Sequence, residues 1–252
     1  MTDERELLKN RFLELARKSY NSDIFTFTDF LGLAEQAVFS EVKSKIYPTC
    51  YTEFGGTDGT ERVMIRFGSP DELGYDVPFP IVTLKIEPLS QKFADKLTHR
   101  DFLGTILGLG IERAKLGDIV IINNVGYVFA SRDIADYILR ELSRIKHTDV
   151  KVSLIDELPE GSLYRTEEKR IQLSSERVDA VIAKAFCLSR DDAQSLFKRG
   201  LVFVSGKEIS SPSYTPKIGD VISARGYGRL IYKGQDSTTK KGKLNVKIEM
   251  YV

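Results

Sequence analysis

Apolar positions along this chain recur at helical spacing, then at alternate residues, then at helical spacing again, and each change of period marks an element. In residues 4–19, Leu8, Phe12, Leu15 and Ala16 share one face with charges opposite, which predicts an amphipathic helix. Phe30, Leu33, Ala34, Ala37, Val38 and Val42 predict a second helix, with Thr28 as its cap and Pro48 beyond its end. Two strands are expected next, at 51–54 and 62–67, with Gly55, Gly56 and Gly59 in the turn between them. The run SPDELGYDVPFP reads as a loop, and a domain boundary falls near Pro80.

The middle of the chain predicts strand 81–87, a helix opening at Thr98 with Asp101 three residues on, strand 118–122, and an Asn123-Asn124 turn. Strand 125–130 returns, a helix follows from Ser131, and Val150, Val152 and Leu154 alternate in a last strand. That order is β-α-β-β-α-β, the ferredoxin-like pattern. Because such sheets often carry stacking aromatics for RNA, Gly126-Tyr127-Val128-Phe129 draws notice. Tyr127 and Phe129 share a face. They stack on bases if that face is open, and belong to a core if it is covered.

Residues 157–169 are polar and read as a linker. Beyond them Ser174 or Ser175 is placed as the cap of a helix at 176–186, and Ser189 as the cap of a second at 190–199, stopped by Gly200. Strand 201–204, a Ser205-Gly206 turn, strands near 221–225 and 230–233, a basic turn with Lys240, Lys241 and Lys243, and a closing strand at 244–251 complete the chain. Arg190, Gln194 and Lys198 line one helix face, with Arg199 beside them, while Ala193, Leu196 and Phe197 face inward. Arg177 and Lys184 are seven apart and also fall together. Lys207 follows the turn, and Arg225 and Arg229 flank Gly226-Tyr227-Gly228. These groups, with the Ser189 hydroxyl and the N–H groups of the helix it caps, are expected to converge on a phosphate backbone. Arginine suits that role because its planar fork matches two phosphate oxygens.

Charge sharpens this picture. The chain of 252 residues has a net charge of only +1, but residues 171–252 carry 14 Lys and Arg against 8 Asp and Glu, while the remainder is net acidic. A basic third on an acidic body points to a polyanion partner for that third. Cys50 and Cys187 lie in unrelated contexts, which gives neither a disulfide framework nor a zinc site, and no cofactor or metal is expected. The charged start MTDERELLKNRF does not resemble a signal peptide, and no run is apolar enough to span a bilayer, so a cytoplasmic protein is expected.

The stretch RVDAVIAKAFCLSRDDAQSLFKRGLVFVSGK, followed by Lys217-Ile218-Gly219-Asp220-Val221-Ile222, resembles the S4 domain, an RNA-binding module of a small-subunit ribosomal protein, tyrosyl-tRNA synthetases and pseudouridine synthases. Val178 stands where leucine is common, and Ser205 where asparagine often precedes Gly-Lys. Acidic Asp179, amid the basic residues, is expected to orient Arg177 or cap backbone. With LTHRDFLGTILGLGIERAKLGDI at 97–119, the chain resembles the YlmH family of bacterial S4 proteins. The resemblance implies an α+β chain of three parts: a small N-terminal domain at 1–79, a ferredoxin-like, RRM-resembling domain at 80–158, and, after a linker at 159–170, an S4 domain at 171–252. It further implies a family encoded near cell-division genes, binding of rRNA or tRNA on the large ribosomal subunit, and a link to rescue of stalled translation. A monomer is expected. Arg100, Arg113, Tyr127 and Phe129 are placed as secondary RNA contacts.

Two other classes stay in view. Some pseudouridine synthases place a catalytic Asp after His-Arg-Leu, so His99-Arg100-Asp101 raises an RNA-modifying enzyme. Here the leucine is absent and no catalytic domain follows the S4 stretch; Asp101 pairs with Thr98 at a helix start on the plainer reading. A kinase catalytic loop is excluded because Ile106 stands where its Asn belongs. The third class is an interaction adaptor linked to cell division, whose basic domain is incidental.

Overall fold

The computed structural model describes residues 2–156, 158–159, 166–239 and 242–251. Mixed helix and sheet make an α+β chain, whose contacts divide it into two compact units, 1–163 and 164–252.

The first unit opens with α1 (Thr2–Ser22), β1 (Thr26–Phe27), α2 (Leu33–Val42), β2 (Tyr51–Phe54), β3 (Met64–Phe67) and the single turn α3 (Pro70–Leu73). The strands form a sheet in the order β1-β3-β2. Phe12, Leu15 and Ala16 of α1 pack with Val38, Phe39 and Val42 of α2 over Ile65 and Phe67. Three local expectations are corrected. Gly32, not Thr28, precedes α2; the Thr28 hydroxyl instead accepts the Ile65 N–H at 2.9 Å, so it serves the sheet. The SPDEL run is not loop throughout: Ser69 and Glu72 form a reciprocal capping box around α3. The predicted strand at 62–67 begins only at Met64.

Next come β4 (Ile81–Pro88), α4 (His99–Gly108), β5 (Leu116–Ile122), β6 (Val125–Ser131), α5 (Arg132–Glu141), a short β7 (Arg144–Ile145) and β8 (Thr148–Ile155). The sheet order is β5-β6-β4-β8-β7, all neighbours antiparallel. Val128 and Ala130 face α4 and α5 and share a core with Phe102, Ile106 and Ile138. Gly126 is needed in that layer, since a Cβ there would meet the Phe102 ring at 2.5 Å.

The opposite face of this sheet is covered by the N-terminal elements. Phe129 is fully buried and Tyr127 is 8% exposed. The Phe129 ring lies against Gly56, whose φ of 108° and lack of Cβ admit it, and Gly117 leaves room for Phe30 beside it. Polar contacts fasten the cover. Asp118 accepts the N–H groups of Glu61 and Arg62 at 2.6 and 3.0 Å. The Arg62 guanidinium donates to the carbonyls of Leu116 and Phe30 at 2.9 and 2.7 Å. The expectation that Tyr127 and Phe129 contact RNA is therefore corrected: a ring enclosed by protein offers no face to a base.

The second unit consists of β9 (Thr166–Leu173), α6 (Val178–Ala185), α7 (Arg190–Lys198), β10 (Val202–Val204), β11 (Lys207–Glu208), β12 (Val221–Ala224), β13 (Gly228–Thr238) and β14 (Leu244–Tyr251), with sheet order β11-β10-β12-β13-β14-β9. Residues 166–170 are not linker. They belong to β9, which pairs with β14 in register from Thr166↔Tyr251 to Leu173↔Leu244. Its outward charges suit an exposed edge strand, which is why the segment looked unstructured. Glu157, residues 160–165, Lys240 and Lys241 lie outside the described residues.

One sheet face is packed under both helices. Val178, Val181 and Ile182 of α6 and Ala193, Leu196 and Phe197 of α7 meet Val202, Val204, Ile222, Leu230 and Tyr232. The buried Tyr232 hydroxyl donates to Glu176, and burial first, then that carboxylate, raises the phenol's pKa.

Candidate nucleic-acid interface

The helix pair is placed by the core just described, and its outward residues follow from it. Val178 N–H donates to the Tyr214 carbonyl at 2.8 Å, fixing where α6 begins. Arg177, rather than Ser174 or Ser175, precedes its first turn, and no side chain caps it. Between the helices Cys187 takes a φ of 55° and Leu188 N–H returns to the Ala183 carbonyl at 2.8 Å, a tight reversal. Ser189 caps α7, accepting the Asp192 N–H at 3.0 Å. Because Ala193, Leu196 and Phe197 face inward, Arg190, Gln194 and Lys198 must lie on the exposed side.

A groove of about 900 Å³ runs along this side of the unit. Arg177, Lys184, Arg190 and Gln194 line it, so four of the sequence-predicted residues come together. Lys243 lines it as well. It was not among the predicted contacts, although the basic turn it belongs to was the signal. The pairing of Leu244 with Leu173 brings it beside Ser174. Among the described residues the groove holds four cations against one carboxylate, Asp179. That carboxylate is committed to Arg177: Nε and Nη2 donate to Oδ1 and Oδ2 at 3.0 and 2.7 Å, and Oδ1 also accepts the Ala180 N–H at 2.8 Å. The pairing raises the Arg177 pKa and holds its guanidinium in one orientation. The result is a cationic trough with amide and hydroxyl groups beside it, suited to phosphates and sugars.

Other predicted residues lie elsewhere. The Ser189 hydroxyl is consumed within its own helix start, donating to Asp192 Oδ2 at 2.6 Å while it accepts the backbone N–H. Lys198 and Arg199 are exposed at the far end of α7 and do not line the groove. Lys207 follows a hairpin turn in which Ser205 and Gly206 both have positive φ, 47° and 80°. There Ser205 Oγ donates to Asp220 Oδ1 at 2.8 Å, and Oδ2 of the same residue accepts the Lys217 N–H at 2.8 Å.

Arg225 and Arg229 do not converge with the groove residues. Val202, Val204 and Ile222 point to the helices, so Phe203, Ser223 and Arg229 point to the other sheet face. There the Arg225 guanidinium lies 4.5 Å from the centre of the Phe203 ring, and that of Arg229 4.4 Å from the Tyr251 ring. A sheet separates these two arginines from the groove, which corrects the expectation of a single converging set.

In the first unit Arg100 is exposed. Arg113 is spent internally, its Nη1 donating to the carbonyls of Leu116 and Gly117 at 2.5 and 3.2 Å. Burial, then the neighbouring Arg62, lowers its pKa to about 10. Its placement as an RNA contact is corrected on that ground. Asp101 Oδ2 accepts from Thr98 N–H at 2.7 Å and Thr98 Oγ1 at 2.6 Å, and meets Lys146 Nζ at 2.7 Å. Lys146 first, then Thr98, pulls its pKa down to about 2. Among the described residues no group of His, Cys, Asp and Glu has a metal-binding arrangement, and no helix is long and apolar enough to cross a membrane.

Comparison with known proteins adds independent findings. Residues 76–157 match the family model described as "Putative RNA-binding domain in YlmH". The chain is 31% identical over 256 residues to the Ribosome-associated protein quality control protein P2 of Bacillus subtilis (strain 168), covering 98% of this chain and 95% of that one. It is 36% identical over 74 residues to Small ribosomal subunit protein uS4 of Granulibacter bethesdensis, a match to 29% of this chain and 36% of that one. Among solved structures, "Cell division protein ylmH from Streptococcus pneumoniae" aligns at a TM-score of 0.48 and 22% identity, over 60% of this chain and 91% of the other.

Proposed function

The chain belongs to the YlmH family of RNA-binding proteins, and from that premise we propose that it is a non-enzymatic protein whose C-terminal unit is an S4 domain gripping structured rRNA or tRNA. Its place of action is the large ribosomal subunit, in rescue or quality control of stalled translation, as a cytoplasmic monomer. The observation that carries this reading is the groove beside α6 and α7, where Arg177, Lys184, Arg190 and Lys243 surround a single committed carboxylate. Four cations with polar neighbours grip a backbone by neutralising phosphates, and do so independently of sequence. A full-length relative named for ribosome-associated quality control supports the process, and a uS4 match supports the module. The domain division that accompanies this reading is an N-terminal part to residue 79, a ferredoxin-like part to about 158, and the S4 part behind it.

A modifying-enzyme reading needs Asp101 as nucleophile. One of its oxygens is held by Thr98 and Lys146, an arrangement that favours the helix-start role. Sedimentation of a lysate through a sucrose gradient at moderate salt tests the proposal. The protein is expected with free large subunits, released by RNase. Sedimentation only at the top of the gradient, or with membranes and division complexes after RNase, overturns it in favour of the adaptor.

A further inference from the structure

With the aromatic face of the central sheet closed, an RNA contact in the first unit must use another surface, and one end of that sheet has the required chemistry. The connection from β4 to α4, residues 89–98, is stapled to two hairpin turns. Asp95 N–H donates to Thr148 Oγ1 at 2.8 Å, and His147 N–H donates to Asp95 Oδ2 at 3.2 Å. Leu97 N–H donates to Asn124 Oδ1 at 2.8 Å, and Asn124 Nδ2 returns to the Asp95 carbonyl at 2.9 Å. These bonds anchor the segment at Asp95 and at Leu97, whose side chain is buried in the core. At its tip Phe93 is 82% exposed, with Lys92 Nζ 5.5 Å from its ring centre.

Cations outnumber acids along residues 89–101, Lys92, Lys96 and Arg100 against Asp95 and Asp101. Lys96 and Arg100 are exposed and have no ion-pair partner among the described residues. Asp101 is paired with Lys146, and Asp95 accepts the His147 N–H. We infer that this loop end, not the sheet face, is where the first unit contacts RNA, with Phe93 stacking on an unpaired base and Lys92, Lys96 and Arg100 on its phosphates. An exposed ring flanked by cations fits single-stranded nucleotides, since every base has a face to stack and a charge beside it.

The inference rests on the RNA-binding reading above, and the experiment separates the two. The full-length protein is crosslinked by ultraviolet light to deproteinised ribosomal RNA, and the peptides carrying nucleotide adducts are identified by mass spectrometry. Adducts are expected within residues 89–100 as well as in the second unit. Phe93→Ala is expected to weaken affinity for the same RNA about tenfold, and Phe93→Tyr to keep it. Adducts confined to the second unit, with Phe93→Ala binding like the parent, overturn this surface and leave the proposed function standing. No adduct in either unit overturns both. Loss of ribosome association by Phe93→Ala with unchanged affinity for bare RNA overturns the RNA contact in favour of a protein partner.

Discussion

The two units each set chemistry-bearing residues on one face of regular structure, and the outcomes differ. On the central sheet, Tyr127 and Phe129 form an aromatic pair that is closed off by Gly56, Phe30 and the Arg62–Asp118 contacts. On the C-terminal helices, Arg177, Lys184 and Arg190 remain open around a groove. The difference lies in what can cover each face. Aromatic rings gain from burial, so a chain that brings another layer over them is stabilised by it. Several cations beside one carboxylate lose hydration on burial without recovering it in pairing, so that surface stays in water. A strand bearing aromatics is thus weak evidence for a nucleic-acid surface, and an uncompensated cationic helix face is stronger.

The sharpest way to break this contrast is to treat Phe129 as an RNA contact. Phe129→Ala is expected to destabilise the first unit by about 3–5 kcal/mol through an unfilled cavity, read by thermal denaturation, while RNA affinity at a temperature where it is folded stays within twofold. A stable variant with lost affinity would reverse the assignment. Next in size is Arg62→Ala. It strands the carbonyl of Phe30 and removes one of the two donors to that of Leu116, where Arg113 remains, and is expected to cost about 2–3 kcal/mol of stability by chemical denaturation.

For the other member of the contrast, Lys184→Ala with Arg190→Ala is expected to weaken RNA binding by about 1–3 kcal/mol in total. Its stability should stay within about 0.5 kcal/mol of the parent, because both side chains are exposed. Arg225→Ala, across the sheet from the groove, is expected to have a smaller effect on the same titration, and an effect equal to the groove pair would restore a single converging surface. The smallest effect concerns Asp101. Its folded pKa of about 2 lies below the ordinary 3.8, so its contribution to stability is present above that value and fades as pH falls toward 2. Asp101→Asn should remove that part of the acid dependence and leave RNA affinity unchanged.

Much of this was legible in the chain because local periodicity dictates it. The β-α-β-β-α-β order, the two C-terminal helices and the Ser189 cap all follow from spacing and capping residues. So does the outward row of Arg190, Gln194 and Lys198, since its opposite side reads as core. What escaped depends on partners distant in sequence. The cover over Phe129 is made by Gly56 and Phe30, and neither glycine nor phenylalanine announces its neighbour. Strand β9 hid in TEEKRIQL because an edge strand needs few apolar residues once β14 supplies its hydrogen bonds. Lys243 joins the groove through that same pairing. The division of the arginines required the register of β10, β12 and β13, which places Arg229 on the face away from the helices.

The central claim is that the groove beside α6 and α7 grips RNA through its phosphates. It is tested most directly by the salt dependence of binding to ribosomal RNA, measured for the parent and for the triple variant Lys184→Ala, Arg190→Ala, Lys243→Ala. The parent is expected to lose affinity with a log–log slope corresponding to roughly four to six phosphates, and the variant to show a slope lower by about 2–3. An unchanged slope in a folded triple variant would contradict the account.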